Sequence, residues 1–372
     1  MDQPASPQRA FGSEGDAPGE RAGAFRPGEL AVVLAQYDLG VVRSVAPFTR
    51  GARAAPKVLV ASDRGRYLLK RLRPGTDDPL RVGAVQGLQH RLRERGFPLP
   101  ALVASKNNGG TMLRLDGAVY ELFEYIEGVG YDGGEPMTGE AGAWLAVFHR
   151  LAPEGTMEWR PPLGGYHASR RVLASLQAAR TQDKAGAIAA ALEQLYNLAA
   201  TRCEKLGARR WPAQLIHGDW HAGNMLFAED GRVSAVVDYD AVRLAPRVLD
   251  VAQGLAQFSI RAPGRDVTAA ARPEEAWAAD LDAGRLRWFW AGYDRAAPTR
   301  AGGPGRLSKS ERRALPWLMI ESLISEAVEP VARTGRFLRV SGPAFLRMIH
   351  DKAVWIADRA DSDLRRVFKG RA

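Results

Sequence analysis

The period of the hydrophobic pattern changes once along this chain, and that change decides its class of fold. Between residues 40 and 125 apolar residues alternate or run in short strand-like segments, near 40–48, 56–62, 66–72, 111–115 and 118–125. Asp63 and Gly65 mark a turn between the second and third of these, and Asp116-Gly117 a turn between the last two. A short amphipathic helix from Glu29 to about Tyr37 precedes them, and a helix over 79–95, stopped by Gly96 and Pro98, interrupts them. Beyond about residue 137 the period is helical, over 137–151, 167–179, 183–207, 247–260, 275–294, 308–336 and 342–359, broken only by short strands between 213 and 240. Strands first and helices afterwards predict an α+β fold, with a small β-rich lobe over 29–127 and a larger, mainly helical lobe over 128–372. At 372 residues the chain exceeds what one small core holds, which suits two lobes with a cleft between them.

Residues 1–28, rich in Gly, Pro, Ala and Ser without periodic apolar positions, are expected to be a disordered tail, and 295–307, with Gly302-Gly303-Pro304-Gly305, a surface loop. The formal charge of +10 comes mainly from arginines spread along the whole chain. They are not clustered with interleaved aromatics, so no nucleic-acid partner is expected. A single cysteine, Cys203, excludes an internal disulfide and any multi-cysteine metal site and fits a reducing compartment. With no basic, then apolar, amino-terminal leader and no apolar run of membrane length, a soluble cytoplasmic protein without membrane partners is expected.

Chemistry concentrates in one stretch. Apolar Leu215-Ile216 leads into His217-Gly218-Asp219-Trp220-His221-Ala222-Gly223-Asn224 and then apolar Met225-Leu226-Phe227, a strand, a polar loop and a strand. The apolar run Val233 to Val237 then ends on Asp238, followed by Tyr239 and Asp240. Both carboxylates therefore sit at strand edges beside one loop. Transfer of a γ-phosphoryl group needs a carboxylate to orient and deprotonate the attacking hydroxyl, and oxygen ligands to hold Mg2+ across the phosphates. Asp219, at a loop tip, suits the base; Asn224 suits a neutral metal ligand and Asp238 an anionic one. Asx residues also serve simply as turn formers between strands.

His-Gly-Asp-x-His-x-x-Asn followed by apolar-Asp-Tyr-Asp resembles the catalytic and metal motifs of the aminoglycoside phosphotransferase and choline kinase superfamily. The resemblance covers about residues 40 to 260 and implies a bilobal protein-kinase-like fold and an ATP-dependent kinase with an alcohol acceptor, GTP being a possible donor. It implies that His217 packs beneath the catalytic loop and hydrogen-bonds its backbone, that Asp250 braces that loop and that His149 packs in the first large-lobe helix. His221 is left open, near either the acceptor or the phosphate.

In the amino-terminal half, strand alternation puts Leu68, Lys70 and Leu72 on one face, and a lysine between leucines needs an anion. Taken alone, Lys70 also reads as an edge-strand gatekeeper; the resemblance makes it the phosphate-binding lysine. Such kinases pair that lysine with a glutamate on the following helix, yet residues 79–93 contain none, leaving Gln86 or Gln89 as substitutes. By the same resemblance Phe48 to Arg53, with Gly51, takes the place of the phosphate-covering loop, and Tyr120 to Gly128 that of the hinge, where adenine pairs with backbone near Glu124 and Ile126.

The acceptor is less legible. Gly292-Tyr293, Leu307-Ser308-Lys309-Ser310-Glu311 and Leu315-Pro316 are similar to the tail of type II homoserine kinases. Where those use arginine for a carboxylate, this chain has Glu321 and Glu326, which suit a cationic acceptor such as an aminoglycoside or amino alcohol, unless they merely solvate a helix. A small hydroxylated acceptor is therefore expected. A protein kinase of the bacterial stress-response type and a non-catalytic nucleotide binder remain as alternatives.

Overall fold

The computed structural model describes residues 24–48, 55–107, 109–152, 159–182, 184–261, 277–297, 305–338 and 340–369. Helix α1 (Pro27–Leu34) begins inside the stretch that composition assigned to the tail, because Pro27 at the first helical position needs no N–H partner there. Strands β1 (Val42–Pro47), β2 (Lys57–Ser62), β3 (Gly65–Arg71), β4 (Met112–Leu115) and β5 (Ala118–Glu124) form one antiparallel sheet in the order β1-β2-β3-β5-β4. Helix α2 (Pro79–Glu94) connects β3 to β4 and is capped by the Asp78 carboxylate, which accepts the Arg81 N–H at 3.1 Å.

Alternation along the strands sorts the sheet into two faces. Val58, Val60, Leu69, Tyr120 and Leu122 bury one face with Val33, Tyr37 and Leu39 of the α1 region. The opposite face carries Lys57, Lys70 and Glu121, which stand side by side across β2, β3 and β5.

The remainder is helical: α3 (Glu135–Leu151), α4 (Arg170–Arg180), α5 (Gly186–Lys205), then β6 (Ala213–Ile216), β7 (Met225–Phe227), β8 (Val233–Val236) and β9 (Arg243–Pro246), and α6 (Val248–Ser259), α7 (Ala283–Ala296) and α8 (Lys309–Thr334). Strand β6 pairs with β9 and β7 with β8. A two-residue ladder, β10 (Arg336–Phe337) with β11 (Val340–Ser341), and helices α9 (Gly342–Arg359) and α10 (Asp363–Val367) complete the chain.

Three departures from expectation have local causes. Helix α7 starts at Ala283 rather than near 275 because Asp282 caps it, accepting the N–H groups of Gly284 and Arg285 at 2.9 and 3.0 Å. Helix α8 stops at Thr334 because Gly335 turns left-handed at φ 71°, which frees the next residues for β10. Helix α4 starts three residues late because the Ala168 N–H, with Ala168 itself at φ 47°, donates at 2.8 Å to Glu321 of α8. The Ser308 to Glu311 pattern is a capping box: the Glu311 N–H donates to Ser308 Oγ at 3.2 Å and the Ser308 N–H to the Glu311 carboxylate at 2.7 Å.

Helices α3 and α7 cross with their backbones in contact. A Cβ on Gly142 would lie 2.1 Å from the Phe289 carbonyl oxygen, and one on Gly292 2.0 Å from that of Gly139. This crossing seats α3 under the loop over 217–224, where Trp220 Nε1 donates to the Ala141 carbonyl at 3.2 Å. The connector between the lobes is pinned to the same region, since Val129 and Phe227 exchange backbone hydrogen bonds of 2.8 and 3.0 Å.

Candidate active site

The loop from His217 to Asn224 links β6 to β7 and is held from below. Gly218 takes φ 77°, and a Cβ there would lie 2.4 Å from the Ala241 carbonyl oxygen, so the close approach of the 238–241 turn requires glycine. The Asp250 carboxylate on α6, fully buried, accepts the N–H of His217 at 2.8 Å and of Gly218 at 2.9 Å. His149 of α3 lies 3.2 Å from the same carboxylate through Nε2 and 3.1 Å from the Tyr293 hydroxyl through Nδ1. Burial drives the ring neutral despite Asp250, so Nε2–H donates to the carboxylate and Nδ1 accepts from Tyr293. His149 thus does more than pack: it ties α3 and α7 to the brace. The His217 ring departs from expectation. It lies among Phe148, Trp220 and Tyr239 with no hydrogen bond to either nitrogen among the described residues, and burial keeps it neutral.

Above this floor stand the chemical groups. Asn224 Nδ2 donates to Asp219 Oδ2 at 2.9 Å and to the Asp219 carbonyl at 3.0 Å, which fixes the loop and leaves the Asn224 amide oxygen without a partner among the described residues. His221 accepts the Gly223 N–H at 3.0 Å through Nδ1 and brings Nε2 within 3.4 Å of Asp219 Oδ2. Burial resists charge on Asp219, but His221 and the Asn224 amide outweigh it and hold the carboxyl at about 2. Asp219 raises the His221 pKa in return, against burial. Asp238 follows β8 at φ 67°, a strained value for a side-chain-bearing residue, and the Val237 N–H beside it donates to the Asn224 carbonyl at 2.9 Å. That bond joins the two segments that carry Asn224 and Asp238, whose amide oxygen and carboxylate are hard oxygen donors of the kind Mg2+ takes.

Across the cleft, Lys70 is buried as its position predicted, but its partner comes from elsewhere. Lys70 Nζ donates to Asp240 Oδ2 at 2.9 Å, and Asp240, Asp238 and Glu121 together outweigh burial and raise the lysine's pKa. Sequence reasoning missed Asp240 because nothing local tells a second acid of the Asp-Tyr-Asp run from a turn former. Gln86 makes no hydrogen bond to Lys70 among the described residues: its amide donates at 2.9 Å to Glu121, the residue opposite Lys70 on β5, and it accepts from Thr111 at 2.7 Å. Gln89 is buried on the same helix, its carbonyl oxygen unpartnered among the described residues.

At the hinge, the Glu124 N–H is occupied by the Ala101 carbonyl at 2.8 Å, and no partner for the Ile126 N–H lies among the described residues. Gly51 and most of its loop lie outside the described residues.

The two acids of α8 point different ways. Glu321, expected at the acceptor, is fully buried on the far side, where it accepts from His167 Nδ1 at 2.8 Å and from the Ala168 N–H. Cys203 joins this cluster, its thiol pushed up by burial and by Glu321, which keeps it unreactive. Glu326 faces the catalytic loop: it accepts from Gln253 at 2.8 Å and from Gln257, while Gln253 accepts the Trp220 N–H at 3.1 Å. Burial raises Glu326 to about 7, Asp219 adding to and His221 opposing that rise. No helix among the described residues is long and apolar enough to cross a membrane.

Comparison with known proteins gives the family and the fold. A homoserine kinase of Caulobacter sp. (strain K31) is 27% identical over 303 residues, covering 78% of this chain and 81% of that one. An aminoglycoside phosphotransferase from Alicyclobacillus acidocaldarius superposes with a TM-score of 0.61 at 17% identity, over 96% of this chain and 98% of that one. A microcompartment-associated aminopropanol kinase does so with a TM-score of 0.63 at 15% identity, over 90% and 98%. Residues 44–299, a span that holds the catalytic loop, the Asp238 turn and Lys70, match the phosphotransferase enzyme family, and the chain belongs to that family as a small-molecule kinase.

Proposed function

We propose that the protein transfers the γ-phosphoryl group of ATP to a hydroxyl of a small molecule carrying a positively charged nitrogen, of the aminoglycoside, amino-alcohol or homoserine kind. The observation that carries this reading is Glu326, a half-buried acid linked through Gln253 to the same loop that presents Asp219. Homoserine, aminopropanol and aminoglycosides, named for the relatives above, share an amine beside a hydroxyl.

In this reading the Glu124 carbonyl and Ile126 N–H hold adenine, the Gly51 loop covers the phosphates and Lys70 contacts them. Asn224 and Asp238 would hold Mg2+, which would supply neutralisation of charge on the phosphate oxygens. Asp219 accepts the hydroxyl hydrogen. At a pKa near 2 the carboxylate is far too weak a base to ionise an alcohol beforehand, so it orients the hydroxyl first. It takes the proton as the new P–O bond forms and the bond to the ADP oxygen breaks. His221, its pKa raised by Asp219, stabilises the anionic base from 3.4 Å.

The test is Mg2+-dependent transfer from radiolabelled ATP and GTP into homoserine, amino alcohols, aminoglycosides, choline, uncharged sugars and a protein extract. Label on an amine-bearing alcohol is the expected result. Label confined to sugars, or to protein, overturns the reading.

A further inference from the structure

The ladder places a second lysine beside Lys70. Lys57 on β2 stands directly opposite Lys70 on β3, on the cleft face of the sheet, while its neighbour Val58 points into the core behind. Like charges directly opposite each other across a sheet destabilise it unless something answers them. Lys70 has its answer in Asp240, at 2.9 Å. Lys57 has no side-chain hydrogen bond or ion pair among the described residues, although it is half-buried. Lys57 shares the sheet face of Lys70, whose Nζ reaches Asp240 in the turn after β8, so both lysines stand on the side of the sheet that looks toward Asp238 and Asp240.

We infer that Lys57 is a second phosphate-binding cation, gripping the nucleotide's polyphosphate together with Lys70 from adjacent strands. This rests on the nucleotide-dependent reading above and assigns a residue to it. In the free protein, burial and the neighbouring Lys70 both work against the Lys57 charge, and Asp238 and Asp240 only partly offset them. A polyphosphate between the two ammonium groups turns that repulsion into attraction and satisfies the donors that Lys57 holds unused. The division of labour follows from the contacts: Lys70 stays tied to the turn after β8 through Asp240, and Lys57 is the uncommitted donor.

Binding of ATP, AMP and adenosine with Mg2+, together with thermal unfolding, separates this from an ordinary surface lysine. In Lys57→Met, ATP affinity is expected to fall roughly tenfold or more, the scale of a lost charge-assisted contact. Adenosine affinity should stay as in the wild type, and Lys57→Arg should retain most of the ATP affinity. Because the repulsion is gone, Lys57→Met without nucleotide should melt no lower than the wild type while losing most of the upward shift that ATP confers. Equal weakening of ATP and adenosine, or unchanged ATP affinity, overturns the proposal while leaving the nucleotide reading intact. A wild-type protein that does not distinguish ATP from adenosine removes both.

Discussion

At the residue scale, the active site is built from groups whose charge states are set by their neighbours. Asp219 is 39% exposed at its side chain, yet it is held ionised by His221 and the Asn224 amide. Asp219→Asn is expected to cut kcat by roughly a hundredfold or more, the scale of a general base. Nucleotide affinity should remain near normal, as equilibrium binding beside steady-state kinetics would show. Glu326 carries the pH dependence. With its pKa raised to about 7 it is neutral below that pH and negative above it. The KM for a cationic acceptor should therefore fall as pH rises from 6 to 8, and Glu326→Gln should flatten that dependence. A wild-type KM independent of pH over this range would separate Glu326 from acceptor binding. Asp219, Asn224 and Asp238, the proposed base and metal ligands, could be named from sequence because phosphoryl transfer demands particular oxygen atoms at short spacing, on one loop and the strand end beside it. Glu326 and Glu321 were not distinguishable, because five residues of helix turn them to opposite sides and only the packing of α8 shows which side is the pocket.

At the element scale, the site depends on an exchange between α2 and β5. The acid that such kinases carry on the helix is absent from it; Glu121 on the strand stands opposite Lys70, and Gln86 on α2 holds Glu121. The helix is thus coupled to the lysine through a neutral amide and a displaced carboxylate. Glu121→Gln should raise the KM for ATP several-fold by removing one of the charges that keep Lys70 protonated in a buried place. The double exchange Gln86→Glu with Glu121→Gln should restore much of it, since the acid returns to the same network from the other side. A double variant no better than the single one would show that the carboxylate acts only from the strand. Sequence reading found that the helix glutamate was missing and named Gln86, but the carboxylate that Gln86 holds, Glu121, lies 35 residues from it and is brought near only by the fold.

At the scale of the whole molecule, the helical lobe supports the loop through crossings that leave no space. Residues of α2, α3 and α7 share one continuous core with β6 to β8, whereas the outer face of the sheet has its own smaller core with α1. Gly292→Ala forces a methyl group against the Gly139 carbonyl and should cost about 1–3 kcal/mol or more, measurable by urea unfolding. Activity should fall with it, because Tyr293 and His149 hold the Asp250 brace. Unchanged stability would mean that the two helices can part without loss.

From its amino acids alone this chain declared an α+β order, the period of its helices and the phosphotransferase motif on which the proposed chemistry rests. Those are local properties, written in spacing, turn residues and the demand of phosphoryl transfer for specific oxygen atoms. Which acid answers Lys70, which glutamate faces the loop over 217–224, and that Lys57 stands beside Lys70 were decided by tertiary structure. Strand register and helix rotation bring together residues far apart in sequence, and a side chain's role there depends on which charges share its buried space.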